Sequence, residues 1–393
     1  MKFFPGKKYL VAILLIVLAF LYYAMHVYSP VIYKIDRRYA NFIKTTIPDG
    51  LTSLSSKECG TCHIEIYNEW KSSMHAKAYV DPFYQAYLKK DNNHWTCYYC
   101  HTPLERQREY KIIGFVKNDL NRPILDVNPD FDEELRDEGV TCAGCHVKDG
   151  IIYGPFGGLN APHPTAYDAS LLSTDLCERC HEVPKASTMF YKGNPCGSVE
   201  EFNNGPYKED GYTCQTCHMP ATVRRLTPTS SEFRPTRRHT FAGPHSKDML
   251  KKALYVTIEK ENGKGKEKFT LKVLNNGAGH KVPTGDPDRY INIITKFYDS
   301  DNLLITKEIE TLKRVILYYP IIIEFSDNRL KPLMERTYTY DNKDALTRAK
   351  SATVEIEYHI LTDRAKKKLV KKYGLDKDTK KIYKVAPVRF EFN

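Results

Sequence analysis

The C-terminal part of the chain, from about residue 251, alternates apolar and polar residues with the two-residue period of a half-buried β-strand. The segments with this pattern are "ALYVTIEK", "KFTLKVLN", "YINIITKFYD", "LLITKEIE", "RTYTYD", "ATVEIEYHI" and "KVAPVRFEFN". Turn-forming stretches such as "ENGKGK", "SDN" and "YDNKD" separate them. We therefore expect residues 251–393 to form an antiparallel β-sandwich of roughly seven strands, with one helix near "DRAKKKLVKKYG".

The N-terminus has a different pattern. Three lysines precede an uncharged apolar run from Tyr9 to Met25, which is near the short end of what spans a bilayer as a helix. We expect residues 1–30 to be a transmembrane anchor with its basic end inside the cell. A cleaved signal peptide is the alternative, although no small-x-small cleavage site follows the run. In either case the rest of the chain is exported.

The middle of the chain has few long periodic segments. We predict a linker in residues 31–57. In residues 58–250 we predict short helices with Pro- and Gly-rich loops between them. Helices are predicted at "IEIYNEWKSSMHAKAY" and "PFYQAYLKK". Short elements of this kind bury few apolar side chains. We therefore expect residues 58–250 to pack around a group that is not part of the polypeptide.

One short pattern, Cys-x-x-Cys-His, recurs in residues 58–250. The copies are "CGTCH" at Cys59–His63, "CYYCH" at Cys97–His101, "CAGCH" at Cys142–His146, "CERCH" at Cys177–His181 and "CQTCH" at Cys214–His218. Together they use all of the 11 cysteines except Cys196. What recurs is one five-residue motif, and the recurrence does not indicate a solenoid repeat.

Covalent attachment of haem c explains both the spacing and the histidine. Two thiols add to the two vinyl groups of one porphyrin, and the next residue brings its imidazole under the iron as the proximal ligand. Zinc sites join such pairs in twos and need no histidine at a fixed next position, and a thioredoxin-like motif needs one pair in a βαβ unit. We therefore predict five haem c groups. The predicted attachment residues are Cys59, Cys62, Cys97, Cys100, Cys142, Cys145, Cys177, Cys180, Cys214 and Cys217, and the predicted proximal ligands are His63, His101, His146, His181 and His218.

The formal net charge of +11 at pH 7 does not indicate nucleic-acid binding here. Each haem adds two propionates, so five haems remove about half of the positive excess. We expect no nucleic-acid partner, and we interpret the lysine-rich segment Lys366–Lys372 as the solvated face of a helix.

Further histidines lie in contexts that resemble a known family. "WKSSMHA", "GPFGGLNAPHP", "RHTFAGPH" and "GAGHKVPTG" resemble, in this order, elements of the relatives of the tetrahaem electron-acceptor cytochrome c of ammonia oxidisers. The resemblance covers roughly residues 58–290 and implies that these histidines are distal iron ligands. The distal candidates are His75, His163, His239, His245 and His280, with His94 in reserve. If His280 is a ligand, the β-sandwich clamps one haem edge.

Two protein ligands on each iron give a closed iron that is suited to electron transfer. We therefore predict a membrane-anchored electron carrier that is not an enzyme. One alternative is a pentahaem reductase with one open catalytic haem. Nitrite reductases of this kind resemble the chain in haem count, but they usually have a proximal Lys at that haem and a helical C-terminal part. Subunits of extracellular cytochrome filaments and anchored quinol dehydrogenases are further alternatives.

These expectations also define a location and partners. We expect a single-pass protein of the cell membrane with its haem domains on the extracytoplasmic side, or a secreted protein if the N-terminus is cleaved. Redox proteins of the periplasm or cell surface are the expected partners, together with the membrane. An oligomer or filament with haem contacts between copies of the chain is a further option.

Overall fold

The computed structural model describes residues 7–23, 36–156, 160–183, 186–187, 192–194, 196–262, 267–317, 322–341 and 344–392. In chain order the helices are α1 (Lys7–Tyr23), α2 (Ser56–Gly60), α3 (Ile64–Ser72), α4 (Pro82–Lys90), α5 (Trp95–His101), α6 (Glu133–Asp137), α7 (Ala143–His146), α8 (Asp175–His181), α9 (Ser198–Asn203), α10 (Pro206–Glu209), α11 (Cys214–His218), α12 (Lys247–Ala253) and α13 (Asp363–Tyr373). The strands are β1 (Tyr110–Phe115), β2 (Pro123–Val127), β3 (Val147–Lys148), β4 (Ile151–Gly154), β5 (Thr165–Tyr167), β6 (Ala186–Ser187), β7 (Lys192–Gly193), β8 (Ala221–Arg224), β9 (Arg234–Arg237), β10 (Tyr255–Asn262), β11 (Glu267–Leu274), β12 (Tyr290–Tyr298), β13 (Leu304–Leu317), β14 (Ile323–Asp327), β15 (Glu335–Tyr340), β16 (Ser351–His359) and β17 (Ile382–Glu391).

The N-terminal helix α1 is 17 residues long. Its apolar side chains are exposed along its length, among them Leu14 and Ile16. Within the described ranges, however, no helix is both long and apolar enough to cross a membrane. The transmembrane helix that we predicted in residues 1–30 is therefore not supported by the structure.

The middle of the chain consists of short helices and small sheets, as predicted. The helix α4 coincides with the predicted segment, whereas α3 ends at Ser72, where Ser73 turns to extended backbone before His75. One apolar cluster of the described part of this region has Leu54, Leu104, Leu135, Ala143 and Val147 as its buried members. This cluster is small for almost two hundred residues, which agrees with a region that packs around something besides its own side chains.

Two antiparallel sheets form the C-terminal part. One sheet has the strand order β10-β11-β15, and the other has the order β14-β13-β12-β16-β17. Fully buried Phe269 of β11 meets fully buried Phe297 of β12 edge to face, with ring centroids 5.0 Å apart. The predicted antiparallel sheets and their helix α13 are therefore confirmed. The sequence pattern missed β14, because Ile323–Asp327 is a short strand that pairs only with the end of β13.

The sheets pack against the helical region at more than one place. Phe83 and Ala86 of α4 pack against Leu361 and Leu369 in one buried cluster. At a second place α12 contacts β17. The hydroxyl of Tyr87 donates a 2.8 Å hydrogen bond to a carboxylate of the loop before β12. This docking brings loops of the sheet domain next to the Cys-x-x-Cys-His motifs.

Candidate haem-attachment sites

Four of the Cys-x-x-Cys-His motifs lie on a short helix, and the first lies across the turn between α2 and α3. We number the sites 1 to 5 in chain order, from the motif at Cys59–His63 to the motif at Cys214–His218. The histidines of sites 2 to 5 are the last residues of their helices, and His63 is the residue before α3. Residues three apart on a helix share one face, so at sites 2 to 5 the two sulfurs of each pair point to the same side. This is the arrangement that a single porphyrin edge requires.

Four of the five predicted proximal histidines are held in one tautomer. At four sites the Nδ1 atom of the motif histidine lies within hydrogen-bond distance of a backbone carbonyl oxygen. The carbonyls belong to Leu226 for His63 (2.9 Å), Ala78 for His101 (2.6 Å), Tyr153 for His146 (2.7 Å) and Ala242 for His218 (2.6 Å). A carbonyl oxygen only accepts, so each Nδ1 carries the proton and each Nε2 keeps its lone pair. A metal-binding imidazole has this arrangement.

Three proximal histidines face a predicted distal histidine. The ring centroids are 6.2 Å apart for His181 and His75, 6.2 Å for His146 and His239, and 6.3 Å for His218 and His280. Two metal–nitrogen bonds of about 2.0–2.1 Å, with the distance from nitrogen to ring centre on each side, give a centroid separation of roughly 6 Å. The spacing of all three pairs therefore fits one iron between two imidazoles.

Burial keeps these imidazoles neutral. Burial, helped by neighbouring imidazoles, lowers the pKa of His75 to about 3 and that of His181 to about 4. The pKa values of His239 and His280 are lowered to about 4, again chiefly by burial. A neutral imidazole is the form that binds a metal, so the environment favours ligation over protonation.

The other two predicted distal ligands are placed differently. The pKa of His63 is lowered by burial and, to a smaller extent, by nearby His163, whose own buried Nδ1 has no hydrogen-bond partner among the described residues. His245 instead lies with its Nδ1 2.8 Å from the hydroxyl of Tyr383 on β17. His101 stacks face to face on Tyr84, with centroids 3.8 Å apart. The structure thus relates His163 to site 1, and it shows no ring contact between His245 and His101.

The remaining histidines have local roles or fall outside the described residues. His94 caps α5, and its Nδ1 is 2.9 Å from the hydroxyl of Thr96. His359 lies inside β16, where it stacks on Tyr290 with a centroid distance of 4.2 Å. His26 is not among the described residues. The helix cap explains why a histidine three residues before Cys97 need not be a ligand.

Neighbouring motifs touch one another through their cysteines. The thiol of Cys142 lies close enough to that of Cys59 to raise its pKa, and the thiol of Cys214 acts in the same way on Cys177. The thiol of Cys100 reaches the backbone oxygen of Cys180 at 3.9 Å. The ring of Phe241 lies between sites 3 and 4, with its centroid 4.2 Å from that of His75, which faces His181, and 5.8 Å from that of His239, which faces His146. These contacts join sites 1 and 3, 2 and 4, 3 and 4, and 4 and 5.

Sites 1 and 3 are also joined by a buried carboxylate. Glu138 accepts hydrogen bonds from the hydroxyl of Ser55 (2.5 Å) and the backbone N–H of Ser56 (2.7 Å). The hydroxyl of Ser56 in turn accepts a 3.2 Å hydrogen bond from the backbone N–H of Cys142. Sequence analysis missed this link, because no local pattern marks a glutamate that bonds residues more than eighty positions away.

Three arginines have one buried guanidinium nitrogen that finds no hydrogen-bond partner in the described part of the chain. These atoms are Arg108 Nη1, Arg179 Nε and Arg289 Nε. Arg108 packs its guanidinium carbon 3.9 Å from the ring centroid of Tyr98, inside the site 2 motif, and burial lowers its pKa to about 10. A buried cation is costly without an anion, and propionates are anions of the right kind. These residues therefore fit haem groups at the attachment sites.

A bare metal ion is a poor alternative. Among the residues that the structure describes, no group of three or more His, Cys, Asp or Glu side chains is arranged to hold a metal ion. The cysteines are unpaired with respect to disulfides. The geometry is thus that of paired axial imidazoles and separate thiol pairs, which matches porphyrins better than tetrahedral zinc.

Comparison with known proteins agrees with this geometry. Residues 58–121 match the family model described as "Cytochrome c554 and c-prime". The crystal structure of a penta-heme cytochrome c552 from Thermochromatium tepidum superposes with a TM-score of 0.64 at 19% identity, covering 88% of this chain and 100% of that chain. At this identity the likeness concerns the fold. A β-glucuronidase of Bacteroides uniformis aligns with a TM-score of only 0.16, at 9% identity over 35% of this chain and 13% of that chain.

A search of curated proteins finds no match to the chain. The family match covers sites 1 and 2 only, and the fold match extends over nearly all of the chain. Together with the attachment motifs and the facing imidazoles, these findings support a multihaem c-type cytochrome that binds haem c and transfers electrons.

Proposed function

We propose that the chain is an extracytoplasmic electron carrier with five haem c groups, each ligated by two histidines. The observation that carries the proposal is the facing of His75, His239 and His280 with three motif histidines at 6.2 to 6.3 Å. For the other sites we propose that His163 serves site 1 and His245 serves site 2. Iron in such sites exchanges electrons without binding a substrate.

The contacts between motifs support a specific order of electron transfer. The sulfurs mark the attached edge of each porphyrin, so contacting cysteines indicate adjoining haem edges. We propose a line that runs from site 1 through sites 3 and 4 to site 5, with site 2 joined at site 4. Cys62 of site 1, Cys145 of site 3 and Cys217 of site 5 are exposed, which supports exchange with partners at both ends of the line and at site 3.

The protein contributes ligand orientation and electrostatics to this process. Backbone carbonyls hold the Nδ1 protons of the proximal histidines, so that each Nε2 is directed away from its own helix. Burial disfavours a charged imidazole, and buried arginines offset propionate charge. Each of these effects acts on the reduction potential of the nearest haem.

Two measurements on the full chain, produced in a host that attaches haem c, test the proposal. Mass spectrometry is expected to show the increment of five tetrapyrroles, and a Cys214→Ser, Cys217→Ser double variant is expected to carry four. Cys196→Ser is the matched control and is expected to keep five. Electron paramagnetic resonance of the oxidised protein is expected to show low-spin iron only. The bare apoprotein mass would overturn the proposal.

Site 2 supports a second candidate function. The imidazole of His101 stacks on Tyr84, and His245 is engaged by Tyr383. If no protein ligand completes the coordination at this site, the chain is a reductase with one open haem. The reduced protein would then bind one equivalent of carbon monoxide, whereas the carrier is expected to bind none rapidly. A His245→Ala variant that creates such binding at one site in five would favour the carrier for the native chain.

We propose further that the haem-binding region lies outside the cytoplasm and that the N-terminus holds it at the cell membrane. The basic start, the apolar run from Tyr9 to Met25 and the exposed apolar face of α1 support this location. Membrane fractionation with N-terminal sequencing tests it, and a processed N-terminus in the secreted fraction would favour a cleaved signal. The partners that we propose are other extracytoplasmic redox proteins.

The family match over residues 58–121 and the distal motifs support kinship with the tetrahaem electron-acceptor cytochrome c group of ammonia oxidisers. An oligomer or filament of this chain remains an alternative form of the carrier. Electron microscopy of the purified protein distinguishes filaments from separate particles.

A further inference from the structure

The carboxylate of Glu69, on α3, is surrounded by donors. It accepts two 2.9 Å hydrogen bonds from the guanidinium of Arg224, one of 3.3 Å from the guanidinium of Arg238 and one of 2.9 Å from the backbone N–H of His239. The side chains of Arg224 and Glu69 are only 7% and 13% exposed. A bidentate pair of this kind is strong and geometrically specific when it is shielded from water. The pair of Glu69 and Arg224 joins α3 to β8. Through Glu69 it also binds His239, which faces His146 at site 3.

The same arginine reaches the hydrogen bond of the imidazole. Arg224 Nη2 donates to the backbone oxygen of Arg237 at 2.8 Å, and the Nδ1 atom of His239 donates to that oxygen at 2.9 Å. One carbonyl therefore accepts both from a charged guanidinium and from the predicted distal ligand. The Glu69–Arg224 pair thus holds His239 at two points, its backbone N–H and its ring.

This arrangement has an electrostatic consequence. The acceptor of the Nδ1–H group sets how strongly an imidazole donates electrons to its metal. A guanidinium on the same carbonyl makes that oxygen a weaker acceptor, and its positive charge favours the reduced iron. The carboxylate of Glu69 acts in the opposite direction. The two side chains therefore exert opposing effects on one site from almost the same position.

The helix that carries Glu69 also begins at another site. His63, the predicted proximal histidine of site 1, is the residue immediately before α3, and Glu69 lies six residues further along. One rigid nine-residue helix consequently links the proximal ligand of site 1 to the distal ligand of site 3. The contact between Cys59 and Cys142 brings the same two sites together from the other side.

We propose that Glu69 and Arg224 are positioning residues for site 3, and that their paired charges set the reduction potential of the haem between His146 and His239. This inference rests on the proposed function, since it requires a haem at that site. Arg224 raises the potential, Glu69 lowers it, and the intact pair fixes the orientation of the imidazole.

Redox titration of the full, haem-loaded chain tests the proposal through the sign of two shifts. Arg224→Gln is expected to lower the potential of site 3, and Glu69→Gln is expected to raise it. The expected size is a factor of about ten in the reduction equilibrium, which is about 59 mV for one electron. The Glu69→Gln, Arg224→Gln double variant is expected to lie between the single variants. A His239→Met variant identifies the site 3 component.

Two further variants separate charge from position. Arg224→Lys keeps the charge but loses the bidentate pair, so it is expected to retain the potential and to shift the low-spin electron paramagnetic resonance signal of site 3. Arg234→Gln is the matched control, because Arg234 lies on the same hairpin and pairs with Glu232 instead. It is expected to leave both readouts unchanged.

The outcomes are distinct from failure of the proposed function. A wild-type chain without five haems would refute the carrier before any titration. With five haems present, shifts of the same sign in both single variants would show a purely structural contact and overturn the inference. Shifts no larger than that of Arg234→Gln would overturn it equally. If one neutral variant fails to fold, the double variant and Arg224→Lys still give a potential and a spectrum.

Discussion

The imidazole rings of His218 and His280 face each other in nearly parallel planes, with their centroids 6.3 Å apart, although the two residues belong to different parts of the fold. His218 ends the helix of the site 5 motif, and His280 lies in the loop between β11 and β12. The side-chain amide of Asn275 donates a 3.0 Å hydrogen bond to the backbone oxygen of His280. The sheet domain is thus placed to complete site 5.

Replacement of His280 by alanine is expected to open one iron in five. The loss of a distal imidazole leaves a single axial ligand, which converts low-spin iron to high-spin iron. Resonance Raman spectroscopy of the purified chain should therefore show one high-spin component beside four low-spin ones. His359→Gln is the control, since His359 stacks on Tyr290 within the sheet and should leave every iron low-spin. A fully low-spin His280→Ala variant would show that His280 is not the ligand.

Local sequence patterns were sufficient for the elements and for the attachment sites. Alternation predicts β16 because Ala352, Val354 and Ile356 all turn toward one buried face. Each Cys-x-x-Cys-His motif likewise has both thiols and the imidazole within five residues, so haem attachment can be predicted from local sequence. The short strand β14 was missed, because its burial alternates too little to be distinguished from a loop.

The pairing of distal with proximal histidines depends on the tertiary fold. The motif around His75 follows site 1 in sequence, yet its ring faces His181 of site 4. His245 contacts Tyr383, which is 138 positions away, and no sequence pattern near either residue predicts this contact. Glu69 and Arg224 are similarly separated by 155 positions. Such relationships arise from packing between elements, which a single sequence does not encode locally.

Asp327 is expected to stabilise the chain in a pH-dependent manner. Burial alone would raise the pKa of Asp327, but Arg329 and Lys281 outweigh that effect and hold it well below its usual range. A lowered folded-state pKa adds stability above the unfolded value of about 3.9, and this stability is lost as the pH falls through the folded value. Asp327→Asn should therefore destabilise the chain by about 2–3 kcal/mol at pH 7.

Urea unfolding at several pH values measures this contribution. The difference between wild type and Asp327→Asn should be constant from pH 7 to pH 5 and should shrink below about pH 4. Asp301→Asn is a control, because Asp301 is an exposed turn residue between β12 and β13. A difference that grows on acidification would contradict the assigned sign.

Tyr383→Phe is expected to loosen the predicted distal ligand of site 2. The variant keeps the ring but removes the hydroxyl that lies 2.8 Å from Nδ1 of His245. The loss of one hydrogen bond costs about 1 kcal/mol, so a competing ligand should bind site 2 about fivefold more tightly. Carbon monoxide titration of the reduced chain measures this. Tyr298→Phe, whose hydroxyl meets Thr353 instead, should bind as the wild type does.

Cys196 is expected to be an inert thiol in the folded chain. Burial, with a smaller effect of the nearby Asp286 carboxylate, raises its pKa to about 12, far above the value of about 8.5 for a free cysteine. The thiolate is the reactive form, so alkylation should be slower than that of a free thiol by more than a thousandfold at pH 8. Iodoacetamide labelling followed by mass spectrometry should find one labelled cysteine after unfolding and none before it. The thioether-linked cysteines are an internal control, because they cannot react in either state. Cys196 is half-buried, and rapid labelling of the native chain would contradict the raised pKa of its thiol.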